Sequence, residues 1–233
     1  MEKNQVLNQS VRSGPAMTPA IRGALVTVST LFGGLLIGLL LGDLVFHILP
    51  GHSLSNPDPV HVAIAATPAL LGFLVGGAAW GNSIRKLANR GNRRRMALAG
   101  MLGFAPITIS LAVGLSIVET LASKTFHASI PTHRLFTLLF VPAAFLIAGI
   151  STWAIGKGLN DNTLANWLFW RVGLASAFGF LIVNLVMEMS GWVVGAPGAA
   201  ARLTMVTVLF VSNLCAALIG GAVLGWRLGA LNY

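Results

Sequence analysis

Asp43 and His47 stand four residues apart and His61 follows, giving the order Asp-x3-His-x13-His. On a helix, residues four apart project from one face, so the first pair is placed to act together. A carboxylate with two neutral imidazoles suits zinc, copper or iron. Asp58 and His52 fall between them, and Glu119, His127 and His133 form a second group that would complete or duplicate such a site. These include all five histidines of the chain. An imidazole titrates near pH ~6.5, so the same residues could sense or carry protons in an acidic compartment.

A structural reading competes with the chemical one. Asp43 can pair with His61, Glu119 with Arg134 and Glu188 with Arg202, each acid meeting a base across the mouth of a helical hairpin. At ~1.5 Å per residue, Asp43 lies about 31 Å beyond Arg22 and Glu119 about 36 Å beyond Arg95, at the membrane surface where water is within reach. Glu188, about 25 Å beyond Arg171, sits deeper. With Asn184 and Asn213 it marks a candidate substrate path, although an amide in apolar surroundings most often makes an interhelical hydrogen bond.

Long apolar spans must position these residues. The chain has 233 residues, 55% hydrophobic and 9% charged, too few polar groups to cover a soluble globule. Apolar runs at Ile21 to Leu49, Val60 to Gly81, Met96 to Val118, Leu135 to Gly156, Trp167 to Met187 and Leu203 to Trp226 each reach the ~20 residues that cross a bilayer core. They lack strand alternation, which excludes a closed barrel and leaves a helical bundle. The expected fold is all-α: a polytopic bundle of six transmembrane helices in three hairpins, covering residues 21–233 after a cytoplasmic tail, 1–20, of disorder-prone composition. The first run is too long for the apolar part of a cleaved signal and reads as a retained span.

Charge sets the expected orientation. Lys3, Arg12, Arg22, Arg85, Lys86, Arg90, Arg93, Arg94, Arg95, Lys157, Arg171 and Arg227 fall on one side of the spans, against Lys124, Arg134 and Arg202 on the other. The positive-inside rule then places both termini in the cytoplasm and the histidines outside, in a cytoplasmic membrane. It also accounts for the net charge of +9 without nucleic acid. The basic loop from Arg85 to Arg95 can in addition touch anionic lipid.

Glycine stripes Gly34-xxx-Gly38-xxx-Gly42, Gly72-xxx-Gly76, Gly77-xxx-Gly81 and Gly221-xxx-Gly225-xxx-Gly229 predict close helix contacts, within the bundle or between subunits. Pro68, Pro106 and Pro142 fall inside spans and predict local kinks. Trp80, Trp153 and Trp226 recur at intervals of 73 residues near the basic ends, with Gly76, Gly149 and Ala222 four positions before them. Equal helix lengths that place an aromatic-belt residue at each end account for this without a true repeat. The single Cys215 lies in the last span, which rules out an intrachain disulfide and reads as a packed small residue.

No Walker A sequence, His-Glu-x-x-His, dinucleotide fingerprint or nucleophile elbow is present, which argues against those enzyme classes. The leading expectation is a small transporter or transporter subunit whose outer mouth binds a cation, of the divalent transition-metal class, through Asp43, His47 and His61. Its partners would be the bilayer and other membrane subunits or copies of itself. Two alternatives stand: a non-catalytic scaffold that assembles a larger membrane complex through its glycine stripes, and a redox or oxygenase component with an outer-face copper site.

Overall fold

The computed structural model describes residues 17–48, 59–107, 132–190 and 199–232. Among these are six α-helices and no strand: α1 (Pro19–Ile48), α2 (Pro59–Ala88), α3 (residues 93–107), α4 (Thr132–Gly158), α5 (Asn162–Met189) and α6 (Ala199–Gly229), ending in a 3-10 turn, Ala230–Asn232. Each helix contains one of the expected apolar runs or its described part. Segments Pro19–Gly38, Thr137–Gly158, Asn162–Met189 and Thr207–Gly229 are long and apolar enough to cross a membrane. The chain is thus a multi-pass membrane protein, in which a helix satisfies its own backbone where lipid cannot.

Polarity across the bundle agrees. Leu36, Leu40, Val75, Leu102, Leu138 and Phe178 face outward, whereas Ser151, Thr152, Ser176, Asn184 and Ser212 are buried. In water this distribution would be costly; in lipid the outer apolar face is solvated, while inside Ser151, Thr152 and Asn184 donate to carbonyls and Asn184 also to Ser212.

Two short turns at the basic end connect helices by the same chemistry. Asn89 (φ 49°) and Gly91 (φ 100°) let the chain leave α2 through left-handed backbone, and Asn92 Oδ1 accepts the backbone N–H of Arg94 at 2.9 Å to start α3. Asn160 (φ 62°) likewise ends α4, and Asp161 Oδ1 caps α5 by accepting the N–H of Leu164 at 2.8 Å. Arg90 of the first turn donates to Asp161 of the second at 3.0 Å, tying the two together. The cap hydrogen bond from Leu164 holds the Asp161 carboxyl below its ordinary range; partial burial opposes this and the Arg90 guanidinium adds to it.

Glycine decides which helices touch. Gly34 lies against Gly72 and Gly76, and Gly38 against Gly72, so α1 and α2 run antiparallel. Gly77 and Gly81 meet Gly100 and Met96 of α3; Gly103 meets Ser151 of α4; Gly156 meets Ala165 of α5; Gly179 meets Cys215 of α6. Finally Gly221 and Gly225 return to Gly23 of α1. Each helix therefore packs antiparallel on its sequence neighbour, and α6 closes on α1. The described glycines of the stripes are spent inside the chain, where backbone approach gains dispersion that lipid would not supply.

The three tryptophans spaced by 73 residues do not share an environment. Trp153 and Trp226 are 39% and 60% exposed, as belt residues are, and Lys157 sits 5.0 Å over the Trp153 ring. Trp80 is only 2% exposed and donates its Nε1–H to Thr27 Oγ1 at 3.2 Å. The belt reading fails there because its indole turns inward, against Phe104. Helices α2, α3 and α4 run on through Pro68, Pro106 and Pro142.

Candidate functional site

The end of the bundle away from the basic turns holds the residues that the sequence singles out. Asp43 and His47 occupy the last two turns of α1, His61 the first turn of α2, and His133 is the second residue of α4. The side chains of these four lie outside the described residues, as do Glu119 and His127 altogether. Among the described residues no three His, Cys, Asp or Glu side chains gather.

Backbone register nevertheless relates the two helices. Nine residues beyond Gly38 is His47, and nine before its neighbour Gly72 is residue 63; thirteen beyond Gly34 is again His47, and thirteen before its neighbour Gly76 is again residue 63. His47 and His61 thus lie level to within about 3 Å, and Asp43 lies one turn deeper. The helical repeat places position 61 on the stripe of Gly72, while positions 43 and 47 are roughly 140° and 180° around α1 from Gly38. Level is shared, but the helix face is not.

The amides follow two courses. Asn184, buried on α5, donates to Phe180 O at 2.8 Å and to Ser212 Oγ of α6 at 3.0 Å, the interhelical bond expected of it. Asn213 instead donates within its own helix, to Leu209 O at 2.7 Å. It faces a cavity of about 90 Å3 at the centre of the helix ring. Glu188, one residue before the end of α5, is half-buried and engaged with a neighbour.

Of the residues that line that central chamber, the sequence marked Asn213 alone as a candidate solute contact. All six helices line it: Thr27 and Leu31 from α1, Trp80 from α2, Phe104 from α3, and the Ala144 to Thr152 face of α4, with Ser176 and Gly220 on α5 and α6. None of its lining residues is ionisable at neutral pH. Ser151 donates to Gly103 O and to Ile147 O, and Thr152 to Ala148 O at 2.8 Å, so two hydroxyls are already spent on carbonyls. A second available signal was the adjacent pair Gly220-Gly221 inside an apolar helix, since two glycines there leave room on two neighbouring faces. Nothing distinguished Ser176 from an ordinary small packing residue.

The chain matches no protein-family model, and no curated protein or solved structure shows significant similarity to it.

Proposed function

We propose that the protein is a small membrane transporter, or the transport subunit of a larger assembly, with a cation-binding outer mouth built on Asp43, His47 and His61. The observation that carries this reading is the closed ring of helices around a central chamber, with an acid and two histidines on the helix ends above it. In this reading six helices span the cytoplasmic membrane as three hairpins. The basic turns and both termini face the cytoplasm, because Lys and Arg in short loops are retained on that side. Asp43 and His47 make the primary pair, with His61 at about the same level on a different face. Glu119, His127 and His133 extend the site from the second outer loop, and Glu188 and Asn213 lie on the way inward. Imidazole and carboxylate together favour a transition metal over calcium or magnesium, which prefer all-oxygen sets.

A purely scaffolding role gains less support, since its glycine stripes are occupied within the chain. Metal content of protein purified without chelator tests the proposal. Asp43→Asn and His47→Ala should each abolish metal retention, and His61→Ala should weaken it. Wild-type metal content in the first two variants removes the site.

A further inference from the structure

The central chamber offers hydrogen bonds that no described residue takes up. Ser176 is 3% exposed, and its hydroxyl has no partner among the described residues. A buried serine in a helix ordinarily returns its proton to a carbonyl one turn back, as Ser151 does to Ile147. Thr27 Oγ1 accepts from Trp80, while its own proton has no described acceptor. Asn213 spends its amide N–H on Leu209 and leaves Oδ1 without a described partner. The chamber thus retains a donor on Thr27, an acceptor on Asn213 and both on Ser176.

These groups are arranged at two levels. A Cβ at Gly220 would strike Ser176 Oγ, and one at Gly221 would come within 2.9 Å of Thr27 Oγ1. Consecutive residues on α6 rise ~1.5 Å, so the two hydroxyls flank the chamber at one height. Asn213 is seven residues earlier on nearly the same face, about 10 Å along the axis. Ala216 and Ala217 separate the two levels on α6, and Leu31, Phe104, Ile147, Val172 and Leu224 supply the larger apolar walls.

We infer that this chamber binds a small uncharged solute with an apolar body and a hydroxyl group, a ligand class separate from the cation of the outer mouth. An ion would have to be desolvated in a compartment that holds no countercharge, which disfavours it strongly. The volume sets the size. An apolar cavity of ~150 Å3 accepts benzene, so about 90 Å3 holds about three or four non-hydrogen atoms, the size of ethanol or 1-propanol. The inference does not rest on the cation reading: it uses no residue of the outer mouth, and either can fail alone.

The test is 19F NMR of 2-fluoroethanol with the purified full-length chain in detergent, against empty micelles. Saturable line broadening is expected, reversed by 1-propanol and unaffected by 2-fluoroethylammonium, the charged analogue of the same size. Ser176→Ala should weaken binding about tenfold, and Gly220→Ala, whose methyl enters the floor of the chamber, should abolish it. Ser176→Ala removes only an unpartnered hydroxyl and keeps the question answerable if the glycine variant does not fold. Non-saturable partitioning equal to that of empty micelles overturns the inference. So does equal competition by the ammonium analogue, or wild-type binding in Ser176→Ala.

Discussion

Adding one methyl group at two glycines should move stability in opposite directions. At Gly225 a Cβ would lie 2.7 Å from Gly23 Cα and 2.8 Å from Gly23 N, and would also strike Pro19 O. Carbon contacts are most favourable at ~3.5–4.0 Å, so the overlap is about 1 Å. The atoms are backbone and cannot rotate away; α1 and α6 must separate where the ring closes. Overpacking of this kind costs ~1–3 kcal/mol, and the rigid partners place it near the upper end. Alanine regains about 1 kcal/mol of helix propensity, leaving a net loss of about 2 kcal/mol. At Gly33 a Cβ meets nothing within 4 Å, so only the propensity gain of about 1 kcal/mol remains. For a chain of this size each kcal/mol shifts Tm by ~2–4 °C, so Gly225→Ala should lower it by about 4–8 °C and Gly33→Ala should raise it by about 2–4 °C. Cys215, the only cysteine, lies on α6 and reports unfolding through a thiol-reactive fluorophore during a thermal ramp in mild detergent. If both substitutions shift Tm alike, or Gly225→Ala is neutral, the close approach of α6 to α1 is refuted.

Two further predictions follow from the bonded polar groups. Asn184→Leu should destabilise by ~0.6–1.7 kcal/mol because it strands the buried Ser212 hydroxyl, and adding Ser212→Ala should recover part of that loss; no recovery in the double variant would mean that the two residues are not coupled. At the basic end, Asp161→Ala should cost about 1 kcal/mol of α5 capping, most of it retained at high salt, whereas Arg90→Ala should cost less and vanish in salt. The folded Asp161 carboxyl titrates below its unfolded value, so its contribution is complete above the ordinary 3.8 and disappears as pH falls through the lower folded value. An acid-unfolding midpoint that Asp161→Ala leaves unchanged would contradict this.

Much of the fold was legible because membrane helices announce themselves by run length. The apolar runs at Ile21 to Leu49 and Trp167 to Met187 became helices with bounds shifted by only a few residues, and α2 ran past the predicted Gly81 to Ala88 since its basic last turn still satisfies its backbone helically. Glycine stripes also predicted contact, although not with which helix. The amides show the limit: Asn184 and Asn213 look alike in sequence, yet only Asn184 faces a neighbouring hydroxyl. Trp80, in register with Trp153 and Trp226, turned inward because Thr27 of α1 offers its indole an acceptor.

Composition and spacing alone therefore determined an all-helical membrane protein with charge gathered at one end and histidines at the other, since hydrocarbon accepts no other backbone arrangement for such runs. Only the tertiary structure decided that α6 closes on α1, that the stripes are consumed within the chain, and that the ring holds a neutral chamber lined by Thr27, Ser176 and Asn213. The physical reason is that a chamber depends on which faces of six helices meet. Those faces are fixed by pairwise backbone approach between residues as distant as Gly23 and Gly225, which a one-dimensional pattern does not contain.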